Sequence, residues 1–525
     1  MKHATRSVFT LTFLFGLVFL IADLYLSSKG APIWIAGALG VGFILLNFLA
    51  APWWIEYLLD IHWDSNRPEL PARNLEFLKQ LSTERGLTTP PRVAVIQCAM
   101  PNAFTFGHVQ TDARIVVTSA LLEILTPDEV NAVIAHEVGH IVHWDFIVMT
   151  LSSLVPLLLW ELCAFLGDNR GYVRLAAYVS YWVSRFGVLS LSRTREYYAD
   201  QFAAQATRAP GLLSTALLKL GYGMAQYASL RQAQSQPVKA SKSARSAGAR
   251  QTRLDGIFGM LGISNAQPSL SLSGVTPDEA ARVIRWDLVN PFARLYEKAA
   301  THPLIGRRIE ALNKEALAQG QAPTIPIPAD LPMDWSNFLT SLILWIAPWI
   351  CGIVLIARPI LFRHSEAHGV IGIILTVLLF ASWTARIAYR YPPNFTPHQV
   401  RALTENTSVS DMSAIPVRLE GSIVGSTDST KLTPDLMFQD STGMIFVLDR
   451  QSIPGARILL AQNANTLAGA KVVLDGWYRR KLRPYVELKK LETDDGRIHT
   501  SYSCYIQIGW ALLACGVLYW LTRWS

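Results

Sequence analysis

The sequence predicts a mainly α-helical chain that crosses a membrane several times, carries an α+β domain around a His-Glu-Val-Gly-His helix, and holds a small β-barrel near its C-terminus. Three observations predict it. Of the 525 residues, 51% are apolar and only 16% charged, a balance unusual for a soluble chain of this length. Residues 136–140 place two histidines one helical turn apart. Beyond about residue 395 the apolar period changes from that of a helix to the two-residue alternation of strands.

Seven apolar runs, at 7–27, 32–52, 147–167, 172–191, 336–357, 367–387 and 503–522, are long enough to cross a hydrocarbon core of ~30 Å. A Ser-Ser-Lys-Gly turn joins the first two, so 1–54 reads as a transmembrane hairpin. The run after Met1 to Arg6 is too long for a signal peptide and lacks a small-residue cleavage site, so it is expected to stay as an anchor. Residues 147–192 and 335–388 form two further hairpins, and 503–522 a last helix. Trp34, Trp53, Trp54, Trp335, Trp520 and Trp524 fall near span ends, where indole rings favour the interface. Arg174 and Arg185 interrupt the fourth run, which faces a bundle or enters only partly, leaving six or seven spans.

Basic residues set the orientation. Lys2 and Arg6, then Arg193 and Arg195, place the N-terminus and the 55–146 domain in the cytoplasm, with Arg358 and Arg363 dissenting. The net charge of +8 then reflects orientation and contact with anionic membrane lipid, and no nucleic-acid partner is expected. Five cysteines without ligand spacing do not suggest a disulfide framework and suit a reducing compartment.

Within 55–146, Thr126-Pro127-Asp128-Glu129 is a capping-box start, with proline at the first helical position. Val130, Val133, Ile134, Ile141 and Val142 continue an apolar face, so His136 and His140 lie well inside a helix and project from one side. Two imidazoles so placed can share a metal ion, and Glu137 stands beside them to take a proton from water. Such nitrogen and oxygen ligands favour zinc, one per chain, and a third protein ligand is needed. Glu196 and Asp200, four apart, supply two carboxylates on one face. One can ligate while the other holds the free nitrogen of a ligand histidine; equally, both sit on a solvated face beside Arg193 and Arg195.

Three ordered stretches carry a resemblance. Pro101-Asn102-Ala103-Phe104-Thr105-Phe106-Gly107 with Ile115 to Leu122 and the metal helix, then Arg195-Glu196-Tyr197-Tyr198-Ala199-Asp200, then Asn290-Pro291-Phe292-Ala293-Arg294-Leu295 through Thr301-His302-Pro303 to Arg308-Ile309, resemble the HtpX-type integral-membrane zinc metalloproteases, relatives of the type-I CAAX prenyl proteases. The likeness covers roughly residues 1–315. It implies a gluzincin-type α+β catalytic domain with His136, His140 and Glu196 as zinc ligands, Glu137 as general base and acid, and Asp200 behind a ligand. It further implies His302 and Arg308 beside the substrate carbonyl, stabilising the oxyanion. The strand around 113–118 would be an exposed edge that takes substrate as an added strand, with Asn102, Ala103 and Val116 lining the groove. From the residues alone, Asn102 reads as a turn residue and His302 as a surface residue before a proline.

Residues 193–334 then hold the third-ligand helix, a basic insert at 232–253 without periodic apolar positions, expected to be disordered, and a helix restarting at the Thr276-Pro277-Asp278-Glu279 capping box. Residues 395–500 contain five short strand patterns, the sign of a small barrel resembling an OB fold. Trp477 to Arg483 forms an aromatic and basic cluster of the kind that binds nucleic acid, yet docking of a protein partner or autoregulation suits a membrane protein better. The expected activity is peptide-bond hydrolysis on peptide or membrane-protein substrates at the cytoplasmic face of a bacterial inner membrane, and the HtpX side of the resemblance implies membrane-protein quality control. Processing of prenylated peptides and a non-catalytic scaffold are the alternatives, and the oligomeric state stays open.

Overall fold

A computed structural model describes residues 33–61, 63, 70–98, 101–165, 171–222, 276–328, 332–361, 368–426, 436–450, 467 and 469–523. The first apolar run and the basic insert lie outside the described residues. In chain order the elements are α1 (Ile33–Leu59), α2 (Ala72–Glu84), β1 (Arg92–Ile96), β2 (Ala103–Phe106), β3 (Arg114–Thr118), α3 (Ser119–Ile124), α4 (Pro127–Val142), α5 (Asp145–Phe165), α6 (Gly171–Thr207) and α7 (Pro210–Tyr222). There follow α8 (Pro277–Val289), α9 (Pro291–Lys298), α10 (Ile305–Ala318), α11 (Trp335–Leu361) and α12 (His368–Arg390). The last part holds β4 (Thr396–Pro397), α13 (Val400–Thr404), β5 (Ile415–Ser426), β6 (Leu436–Gln439), β7 (Met444–Leu448), β8 (Lys471–Arg480), β9 (Pro484–Thr493), β10 (Ile498–Thr500) and α14 (Ser503–Arg523).

Helices thus form over the six expected spans that are described. Among the described residues, three stretches are long and apolar enough to cross a membrane: Ala38–Leu59, Trp335–Arg358 and Gly369–Arg390. They leave large apolar side chains such as Leu46, Trp53, Ile343, Ile353, Ile373 and Val377 uncovered, the pattern of a surface meeting lipid rather than water.

The chain divides into two compact units, the first comprising Met1–Arg231, Ser235–Ala266 and Glu297–Ile327. Its three-stranded sheet has the order β1-β3-β2, with β1 parallel and β2 antiparallel to β3. This corrects the expectation for residues 113–118. Strand β3 is the central strand, buried along its whole length, with Val116 opposite both Ala94 and Phe104. Its Ile-Val-Val run is apolar on both faces because both are covered. The edge beside α4 is β2.

Several contacts fasten the sheet to α1. His108 Nε2 lies 2.8 Å from the Leu49 carbonyl, and Arg114 Nε lies 2.7 Å from Glu56 Oε1. Asp112 closes the β2–β3 turn by accepting from the backbone N–H groups of His108 and Val109. Leu59, Ile96, Phe104, Phe106 and Val116 fill the space between.

The expected capping box starts α4: the Thr126 hydroxyl accepts from the Glu129 N–H, and the Glu129 carboxylate accepts from the Thr126 N–H. Gln110 Nε2 donates to the Ile141 and Val142 carbonyls at the other end, satisfying groups a helix C-terminus leaves open. Helix α6 runs unbroken through 37 residues, so the second half of the expected hairpin and the third-ligand helix are one element. It meets α4 at Gly139, where a Cβ would lie 3.1 Å from Ala199 Cα.

The second unit comprises Gln232–Gln234, Gln267–Tyr296 and Pro328–Ser525. Helices α11, α12 and α14 pack around Leu355, Leu379 and Cys515. Strands β5, β6, β7, β9 and β8 pair successively, and β8 returns to β5, closing a five-stranded barrel in which only β7 and β9 are parallel neighbours. That order is the OB-type arrangement. Val417, Leu419, Phe438, Val447, Leu474, Val486 and Leu488 fill the interior.

The Trp477–Arg483 cluster is engaged within the unit. Arg479 Nε donates to Glu487 Oε2 at 2.8 Å, Arg480 Nη1 donates to the Thr404 carbonyl at 2.9 Å, and Trp477 Nε1 donates to the Pro392 carbonyl. Residues 277–290 pack here too, with Trp286 Nε1 donating to the Val409 carbonyl and Asn290 Nδ2 to that of Thr407. The opening residues of the third sequence motif therefore belong with the barrel.

Candidate metal centre

The site is built from α4, α6 and the segment leading into α10. On α4, His136 and His140 turn their Nε2 atoms toward each other, 3.2 Å apart. Each ring is held from behind. His136 Nδ1 lies 3.0 Å from Asp200 Oδ1, and His140 Nδ1 lies 2.5 Å from Asp145 Oδ2. A carboxylate at Nδ1 fixes the proton there and leaves Nε2 as a lone pair. With the proton on Nδ1, both rings would offer Nε2 lone pairs to one ion.

Glu196 completes the set, with its two oxygens each 3.7 Å from one Nε2. The three donor atoms lie within 4.8 Å of one another. A tetrahedral zinc with bonds of ~2.0–2.1 Å would hold two nitrogens ~3.3 Å apart, close to the separation seen. The donor set fits such an ion. The close approach at Gly139 makes this possible: Ala199 is the contact, and Glu196 and Asp200 flank it on the same face of α6.

The electrostatics favour an ionised third ligand. Burial alone would raise the Glu196 carboxyl, but His302, Arg308 and His140 outweigh it and hold the group well below the usual carboxylate range. Asp200 is lowered likewise: burial opposes, and the Arg308 guanidinium prevails. Arg308 is raised, its own burial being outweighed by Asp200 and then Glu196.

Arg308 is 0% exposed. Its Nε and Nη2 donate to the two oxygens of Asp200 at 2.8 and 2.6 Å, and Nη1 lies 3.4 Å from Glu196 Oε2. The expected oxyanion role of Arg308 is thereby corrected: its guanidinium is committed to the two carboxylates and anchors them. His302 is partly open, with Nδ1 3.1 Å from Glu196 Oε1. Ser192 Oγ donates to the Thr301 carbonyl and Arg193 Nη1 to that of Ala300, pinning the His302 segment to α6.

One of the three groove residues, Val116, is also corrected. Val116 lies inside the sheet. Asn102 donates its backbone N–H to Thr118 Oγ1 and accepts from the Thr118 N–H, so its main chain serves β3. By strand alternation, Phe104 and Phe106 then bond β3, while Ala103 and Thr105 turn their N–H and C=O away from it, Ala103 being covered there and Thr105 part-exposed.

Two residues of the site escaped the sequence. Asp145 begins the helix after α4, past Trp144 with its positive φ of 60°, and also pairs with Arg195. No spacing rule links it to His140. Thr105, whose hydroxyl donates to Glu137 Oε2 at 2.6 Å, lay inside a quoted motif without a role.

The sequence profile of peptidase family M48 matches residues 72–316. The chain is 37% identical over 225 residues to a protease HtpX homolog of Methanothermobacter thermautotrophicus, covering 42% of this chain and 86% of that protein. It is 34% identical over 248 residues to a protease HtpX homolog of Moorella thermoacetica, covering 42% and 81%. The crystal structure of S. mikatae Ste24p resembles it loosely, at 16% identity and a TM-score of 0.32, over 60% of this chain and 67% of that one.

Proposed function

Since the chain belongs to peptidase family M48 and is a membrane metalloprotease, we propose that it is a zinc endopeptidase whose active site faces the cytoplasm and whose task is membrane-protein quality control. The observation that carries the hydrolytic reading is the convergence of two carboxylate-backed histidines on Glu196, with Glu137 one residue from the first. When bound, zinc supplies Lewis-acid polarisation of water and of the scissile carbonyl. His136, His140 and Glu196 would hold it.

Glu137, on the same helix turn, accepts the proton of the attacking water and returns it to the leaving amine. His302, whose Nδ1 lies 3.1 Å from Glu196 Oε1, would complement charge developing on the carbonyl oxygen. Substrate adds to β2 as an extended strand, bonded through the main chain of Thr105. Main-chain recognition of this kind accepts many sequences, which suits substrates that share only an unfolded state. The cytoplasmic orientation rests on Lys2, Arg6, Arg193 and Arg195.

Detergent-purified chain given a denatured membrane protein and, separately, a prenylated peptide tests this reading. Cleavage of the former that stops on chelation and returns with zinc is the expected result. Cleavage confined to the prenylated peptide would replace quality control with prenyl-peptide processing. Cleavage that survives chelation would contradict the metal role.

A further inference from the structure

Glu137 is expected to act as a base, yet a glutamate has three rotatable side-chain bonds and must hold one oxygen where water stands. Its carboxylate is held from outside its own helix. The Thr105 hydroxyl donates to Glu137 Oε2 at 2.6 Å and lies 3.4 Å from the Glu137 carbonyl oxygen. Hydrogen bonds to a charged acceptor are short and roughly twice as strong as neutral ones. Glu137 is 3% exposed, so water does little to weaken this bond. It holds the carboxylate by Oε2.

The strand that carries Thr105 matters as much as the hydroxyl. Thr105 sits on β2, opposite Ile115 of β3, with its own N–H and C=O turned toward the open edge. One residue thus faces the base with its side chain and an added peptide strand with its main chain. We propose that Thr105 is the positioning residue for Glu137, setting the base in register with a substrate strand bound on β2. This inference rests on the peptidase reading.

The test compares full-length Thr105→Val, which keeps the shape and removes the donor, with Thr105→Ser, which keeps the donor. The substrate is one that the natural chain cleaves and Glu137→Gln does not. Thr105→Val is expected to retain one equivalent of zinc and an unchanged KM while kcat falls on the order of tenfold or more, and Thr105→Ser to restore most of kcat. An unchanged kcat in Thr105→Val, a change in KM alone, loss of zinc, or a serine variant as slow as the valine variant would each overturn the inference. If the natural chain itself cleaves nothing, the peptidase reading falls and takes the inference with it. Cleavage by the natural chain beside an equally fast Thr105→Val defeats the inference alone.

Discussion

His136 and His140 can offer paired lone pairs because a carboxylate stands behind each ring, and the two carboxylates come from different places. Asp200 arrives on α6 and is held by Arg308, whereas Asp145 comes from the turn after α4. Removing such a partner usually costs 10–100-fold in metal affinity. Asp145→Asn is therefore expected to weaken zinc binding by about that factor while the fold persists, as measured by competition with a chromogenic chelator; unchanged affinity would contradict the role given to Asp145.

Asp112 provides a pH test away from the metal. Burial opposes its ionisation, but the Val109 and His108 N–H groups, the His108 ring and Arg114 bring it from the ordinary 3.8 down to about 2. A folded-state value below the unfolded one adds stability that is complete above about pH 4 and lost as pH falls toward 2. Thermal unfolding between about pH 5 and pH 2 should show the natural chain losing stability more steeply than Asp112→Asn, whereas parallel curves would refute the assignment.

Candidate ligand residues were legible in the sequence where helical spacing alone aligned them, as for His136 and His140. Asp145 and Thr105 were not, because tertiary packing brings them to the site and no period marks them. Arg308 was legible as a motif residue but not as the clamp on Asp200, since the pairing spans residues far apart in sequence.

At the scale of elements, the site depends on how closely α6 approaches α4. Gly139 leaves no room for a side chain without moving Ala199. Gly139→Val should push α6 away, at a cost of about 1–3 kcal/mol in stability, and draw Glu196 off the histidines. Zinc stoichiometry should fall while the helical circular dichroism stays near that of the natural chain; full zinc occupancy would show that the approach is not needed.

The capping box of α4 was readable because Thr126, Pro127 and Glu129 specify it locally. Strand order was not. The near-continuous apolar run at 115–117 is what a strand buried on both faces looks like, and placing the open edge on β2 needed the register with β3. The five barrel strands showed in their alternation, but closure of β8 onto β5 is a long-range pairing that no local pattern contains.

For the whole molecule, the family match ends at residue 316, and the closed barrel and helices α11, α12 and α14 lie beyond it. Composition announced the membrane because apolar residues too numerous for one core must meet lipid. It did not reveal that 277–290 packs with the barrel, since Trp286 and Asn290 find the Val409 and Thr407 carbonyls only after folding. The Trp477–Arg483 run likewise read as a binding surface until Arg479 met Glu487 inside the unit.

The central claim is that Glu137 does chemistry on a peptide bond at an ion held by His136, His140 and Glu196. The most direct measurement follows cleavage of an unfolded membrane protein by zinc-loaded full-length chain beside Glu137→Gln, with zinc quantified in both. Equal zinc with cleavage abolished in the variant is the predicted result. Substantial hydrolysis by Glu137→Gln at equal zinc would contradict the account.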